Sequence, residues 1–293
     1  MEGRTGRWRG RRAALLTAAW LGLMGAIGGC SQPMEVVRLE PTRSSAPDLP
    51  TVVAGQLTVA TAEQATEPWI EDNDPTSQRG FEAAVVYAVA GRLGFPPSAV
   101  TWVRIPFNEA LTTGAKEWDI AVQQYSITTE RRALVDFSSS YYTTAKAVVT
   151  YIGSPADGAT SVEQLKDVRF GVEKGTTSAN VVESVIAPAT PITVYASREE
   201  LVAALDSRQI DALVTDLPRA VYMANYAVYG GLVVGQLSPQ TGAAKEQLAF
   251  VLPKGSGLTA AVSEAIEELR DQGKLSELAS LWMHDYQTAP VMY

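Results

Sequence analysis

The residues of this chain that could do chemistry stand where a short apolar run stops at a polar turn and a helical pattern begins. This happens three times. In Trp118 to Tyr142, WDIAVQQYSITTERRALVDFSSSYY, a strand over Asp119–Val122 gives way to Gln123, Gln124 and Ser126; Thr128 or Thr129 then caps a short helix carrying Arg131. A strand over Arg169–Val172 runs into Glu173, Lys174, Gly175, Thr176, Thr177 and Ser178, which open a second helix. QIDALV, Gln209–Val214, ends at Thr215 and Asp216 before a helix beginning LPRAVY. Helix starts present free N–H groups to an anion, a guanidinium forks onto a carboxylate, and open α/β sheets bind ligands at such strand ends. Together the three places suit a zwitterion, its carboxylate on Arg131 and the helix-start amides, its ammonium on Asp216. Each residue also has a plainer use: Arg131 on a solvated helix, Thr176, Thr177 and Asp216 as helix caps.

Other chemistries are excluded. The chain has one histidine, His284, and one cysteine, Cys30. A zinc site, an intrachain disulfide and a Ser–His–Asp triad therefore lack their parts, unless His284 serves in the last. No nucleophile elbow and no nucleotide-binding glycine pattern is present. Nothing implies a metal or cofactor. The net charge is −8, and no basic run follows Arg12, so nucleic acid is not an expected partner.

The elements that position these residues follow the chain. Residues 1–12 carry five arginines, and Ala13 to Ile27 is uncharged and mostly apolar. That length suits the core of a secretory signal rather than a membrane span. It ends at Ile27-Gly28-Gly29-Cys30, which resembles a lipobox, the motif whose cysteine becomes a lipidated N-terminus. Cleavage before Cys30 takes five arginines and one glutamate with it, leaving a net charge of −12. Residues 31–52 show no periodicity and read as a tether. Beyond them strands and helices alternate, as in parallel α/β units: a strand at Gln56–Thr61, a helix at Gly80–Leu93, a strand at Val100–Arg104, then Pro106 and Phe107 opening a short helix. A second unit of the same kind runs from about Ala145 to Tyr229, and two amphipathic helices close the chain.

In this order the motifs resemble the bacterial extracellular solute-binding proteins of polar amino acid ABC importers. GFEAAVVYAVAGRLGF is similar to that family's GFDVDLA helix, and SITTERRALVDFSSSYY to its SIT-x-ER-x-x-x-x-DFS-x-x-YY segment. VRFGVEKGTTS, RQIDALVTDLPRAVY and AFVLPKGSGL match further motifs. The resemblance implies a two-lobed periplasmic-binding-protein-like α/β fold, each lobe a mostly parallel sheet flanked by helices. Lobe one comprises 53–143 and 248–293, lobe two 144–247, with two crossing strands between them. It implies a monomer that closes on a free amino acid, is anchored outside the cytoplasm by a lipid on Cys30, and delivers to an ABC permease and ATPase. Arg131 then grips the carboxylate with Ser126 and the backbone at Thr177, beside Thr176. Asp216 takes the ammonium with Ser126 and the Gln124 carbonyl, and Phe107 lies against the ligand side chain.

The side-chain end departs from the family pattern. Gln123 and Gln124 stand where small residues are usual, Glu173 precedes the Gly-Thr-Thr turn, and the loop after the first strand offers Ala62 or Glu63, and Thr66 or Trp69. With Glu63 and Glu173 acidic and no cation among these residues, basic amino acids or glutamine are expected ahead of glutamate and aspartate. Two rivals share the fold: an enzyme resembling cyclohexadienyl dehydratase, which needs a cleft carboxylic acid as general acid, and an amino acid sensor.

Overall fold

The computed structural model describes residues 48–293. The leader, Cys30 and residues 31–47 lie outside that span. The elements are β1 (Leu57–Ala62), α1 (Phe81–Leu93), β2 (Val100–Ile105), α2 (Phe107–Ala110), β3 (Ile120–Ala121), α3 (Thr129–Leu134), β4 (Asp136–Thr144), β5 (Lys146–Tyr151), β6 (Phe170–Glu173), α4 (Ser178–Val181), β7 (Thr193–Tyr195), α5 (Arg198–Asp206), β8 (Ala212–Asp216), α6 (Leu217–Tyr222), β9 (Gly231–Leu237), β10 (Glu246–Leu252), α7 (Thr259–Asp271), α8 (Lys274–Trp282) and β11 (Val291–Met292).

They form two sheets, and the protein is a two-lobed α/β molecule. The first sheet has the order β2-β1-β3-β10-β4, the second β11-β9-β5-β8-β6-β7. In the first, β1 runs parallel to β2 and β3, while β10 is antiparallel to β3 and β4. In the second, β6 is parallel to β7 and β8, and β5 is antiparallel to β8 and β9. Both faces of each sheet are covered, so the central strands are apolar nearly throughout. On lobe one, Val85 and Val89 of α1 pack with Ile266 and Leu269 of α7 against Leu57, Val59 and Phe250. The opposite face buries Trp118, Tyr125, Phe137 and Val251. Lobe two is built alike, with Leu201, Leu205 and Val221 on one face and Phe170, Val172, Val182 and Ile186 on the other.

Local signals account for the elements. Phe81, Val85, Val86, Val89, Ala90 and Leu93 recur at helical spacing and are buried. Gly94 ends that helix at φ +89°, its N–H turned back onto the carbonyls of Ala90 and Gly91. Thr128, not Thr129, caps α3.

The chain passes from the first sheet to the second at Ala145, between β4 and β5, and returns over residues 238–245, between β9 and β10. Glu246 and Thr144 face each other there. One expected boundary is corrected: Val291–Met292, placed with lobe one from the sequence, pairs with Gln236 and Leu237 on the second sheet. Met292 is buried in that lobe's core, and removing its apolar surface from water holds the C-terminal strand there.

Candidate functional site

Strand β3 delivers its chain into a turn whose conformation is set by Gln124. That residue has φ +56°, unusual outside glycine, and it is held there by Glu82. The Gln124 N–H donates to Glu82 Oε1 at 2.8 Å, and its Nε2 donates to Glu82 Oε2. Glu82 is fully buried on α1 and also accepts from the Tyr141 hydroxyl. Burial lifts its pKa to about 7, against the hydrogen bonds from Tyr141 and Gln124, which pull it down.

The Thr128 cap accepts from the Arg131 N–H at 3.1 Å and so fixes Arg131 in the first turn of α3. The Arg131 side chain is buried. Its Nη1 donates to the Ser126 carbonyl at 2.8 Å, and its Nη2 crosses the cleft to the Gly175 carbonyl at 3.0 Å. Burial lowers its pKa. The guanidinium lies 5.6 Å from the ring centre of Phe107, which stacks on Tyr125 with centroids 4.8 Å apart.

From lobe two, β6 ends at Glu173, and the turn at Gly175 has φ +81°. Lobe one approaches it so closely that a Cβ on Gly175 would stand 2.0 Å from Asn108 Oδ1. Thr176 Oγ1 donates to the Glu173 carbonyl at 2.8 Å, and Thr177 Oγ1 to Glu246 Oε2 at 2.9 Å. Asp216 ends β8 and carries no side-chain capping bond to α6, so its carboxylate faces the cleft. Its Oδ1 holds the Lys146 ammonium at 2.9 Å. One turn further on, Arg219 donates across the cleft to Gln124 Oε1 and lies 3.7 Å from Glu173.

The structure therefore brings Phe107, Gln123, Gln124, Ser126, Arg131, Glu173, Thr176, Thr177 and Asp216 to one cavity between the lobes. Glu63 is not among its lining residues; it is exposed in the loop after β1. Trp69, the aromatic offered by the same loop, packs in the lobe-one core against Phe81 and Tyr142. The loop bends away because Asn73 binds it, its Oδ1 accepting from the Ala65 N–H at 2.9 Å.

Sequence reasoning missed four charged residues. Arg219 overturns the expectation that the side-chain end lacks a cation. Lys146 lies in AKAVVTY, an otherwise uncharged strand, and a lysine there signals a buried acidic partner. Glu246 begins β10 and accepts from the hydroxyls of Ser126 and Thr177, with Lys146 Nζ at 3.3 Å. Burial alone would raise its pKa, but Lys146 and the two hydroxyls hold it below the usual carboxylate value. Glu82 sits in the GFE start of α1, where sequence alone gives only a helix-start acid. Among the described residues, no group of three histidine, cysteine or acidic side chains is placed to hold a metal ion.

The chain is similar to several known proteins. An arginine-binding extracellular protein, ArtP of Bacillus subtilis (strain 168), is 26% identical over 210 residues, 69% of this chain and 77% of that protein. The arginine-, lysine-, histidine-binding protein ArtJ of Geobacillus stearothermophilus shares the fold, with a TM-score of 0.64 at 24% identity over 78% of this chain and 95% of that one. The ancestral amino acid-binding protein AncCDT-1, described as a precursor of cyclohexadienyl dehydratase, superposes with a TM-score of 0.61 at 28% identity, again over 78% and 95%. The family model for bacterial extracellular solute-binding proteins, family 3, matches residues 57–285, which takes in the first sheet, the second sheet except β11, and every lining residue of the cleft, and the chain belongs to that family.

Proposed function

We propose that this chain is the substrate-binding lipoprotein of an ABC importer and that its two lobes close on a polar amino acid. One observation carries the reading: Arg131 and Ser126 from one lobe face Thr177 and Asp216 from the other across a single cleft. A buried guanidinium with hydroxyls is suited to a carboxylate, and a buried aspartate to an ammonium. Arg131, Ser126 and Thr177 then take the α-carboxylate. Asp216 and the Gln124 carbonyl take the α-ammonium, with Phe107 and Thr176 forming walls. A ligand that touches both lobes favours the closed form, which the membrane permease of an importer, driven by its ATPase, would recognise.

The side-chain preference changes once Arg219 is included. Its pairing with Glu173 cancels the acid that favoured a cationic ligand. What remains at that end is an amide, Gln123, beside a neutralised pair, which suits glutamine better than arginine or lysine.

No helix among the described residues is long and apolar enough to cross a membrane. Anchoring is assigned to a lipid on Cys30 after removal of residues 1–29, on the extracytoplasmic side. We assign no catalysis. A dehydratase needs a protonated carboxyl facing its substrate, whereas Glu82, the acid with a pKa near 7, lies behind Gln124 and is fully engaged by it and Tyr141.

A thermal-shift screen of free amino acids on the purified protein tests the reading. Stabilisation by a polar amino acid that is recovered unchanged is the expected result. Consumption of the ligand would show an enzyme, and no shift with any amino acid would remove the ligand assignment.

A further inference from the structure

The groups assigned above to an amino acid's head already hold two opposite charges, and both belong to the chain itself. The carboxylate of Glu246 receives the hydroxyls of Ser126 and Thr177, and among charged groups it acts most strongly on Arg131. The ammonium of Lys146 sits on Asp216 at 2.9 Å. The two are 3.3 Å from each other, neighbours like the head groups of one amino acid.

We propose that Lys146 and Glu246 form an internal zwitterion that competes with the ligand for its own head-group site. This deepens the amino acid reading and rests on it for the identity of the competitor.

Three features support it. The cleft, with Lys146 in its lining, leaves a cavity of about 30 Å³, room for roughly two waters and too small for an amino acid, while Glu246 occupies the hydroxyls of Ser126 and Thr177 at its wall. The charges of buried Arg131, Lys146 and Asp216 and of half-buried Glu246 compensate one another where unpaired charge is costly. The pair is also placed to act on closure. Lys146 begins β5 and Glu246 begins β10, the two strands beside the crossings, and Glu246 accepts one hydroxyl from each lobe. An arriving zwitterion with the same charges can take over these partners, leaving Lys146 and Glu246 to pair with each other outside the site.

Such a competitor lowers apparent affinity by the fraction of molecules in which it is released. Removing it raises affinity, whereas removing an ordinary ligand contact lowers it. The test uses Lys146→Met, Glu246→Gln and the double variant. Glu246→Gln keeps the shape and an acceptor for both hydroxyls, so it serves if the lysine variant does not fold; thermal melting checks each. Scattering without ligand and calorimetric titration with glutamine and arginine are the readouts. The double variant should have a larger radius of gyration than the parent and bind the ligand about tenfold more tightly, if the pair is engaged about nine-tenths of the time. An unchanged radius, or affinity that is unchanged or weaker, would overturn the proposal. A double variant that widens yet binds no amino acid would keep the competitor and remove the amino acid assignment.

Discussion

Arg219 donates across the cleft to the Oε1 of Gln124, and the other end of the same amide donates to buried Glu82. The amide serves both while Glu82 accepts at Oε2, and the ionised carboxylate offers both of its oxygens as acceptors. A proton on that carboxyl needs an acceptor: the Tyr141 hydroxyl can turn to take it, whereas turning the amide would present its NH₂ to the guanidinium, donor against donor.

This gives a pH prediction with a defined sign. The folded pKa of Glu82, about 7, lies above its ordinary value of 4.5. Between those values the folded protein holds a proton that the unfolded chain has released. The contribution of Glu82 to stability is therefore greatest below pH 4.5 and is lost as pH rises to about 7, by on the order of 3 kcal/mol. Arg219, Tyr141 and Tyr125 are the charged or titratable groups coupled to this site. Glu82→Gln mimics the protonated acid, so its melting temperature should gain on the parent between pH 5 and 8. Parallel curves for the two proteins would refute the assignment.

Arg131→Ala should weaken amino acid binding by about 3–5 kcal/mol, as for one partner removed from a buried ion pair. Arg131→Lys should be nearly as damaging, because one ammonium cannot reach both the Ser126 and Gly175 carbonyls and still present a fork to the ligand. Calorimetry on the folded variants checks this. Affinity that survives either change would place Arg131 outside the site.

Gly175→Ala should hold the cleft ajar. The residue has φ +81°, and its new methyl would meet Asn108 Oδ1. We expect affinity to fall by about 1–2 kcal/mol and the radius of gyration with ligand to rise. Asn108→Ala in the same chain should restore part of the loss, a coupling measurable by a double-mutant cycle. No recovery would mean that backbone strain alone acts.

Cys30→Ser should release the protein from membranes, since no later stretch is long and apolar enough to span one. Fractionation after a high-salt wash decides it, and a variant that still sediments with membranes would contradict lipid anchoring.

The two α/β units were legible because strand, turn and helix-start signals are local, and the two-lobed arrangement followed from the family that their motifs, in that order, resemble. Arg131 and Asp216 were legible for the same reason, each standing next to a strand end in its own segment. Lys146 and Glu246 were not. They are 100 positions apart, and only the pairing of Glu246 with Thr144 brings them together. Strand β9 escaped notice because glycines interrupt it. Gly235 is required there, since a Cβ would meet the Pro290 carbonyl at 2.8 Å. Glu63 was misplaced because the path of its loop depends on Asn73, ten residues on.

The short strand β11 bears on how the lobes can move. Helix α8 packs on lobe one, through Leu275 and Leu278, whereas Met292 is buried in lobe two and the Val162 N–H donates to the Tyr293 carbonyl at 3.1 Å. The chain thus spans the gap a third time, between Met283, buried in the lobe-one core, and Tyr286, which packs on the lobe-two core. A two-stranded ribbon bends and also twists freely, but a third tether fastened at both ends resists torsion. Opening should follow a single path, the lobes parting like a jaw rather than rotating past each other, and cutting the tether would add the missing degree of freedom without touching the cleft.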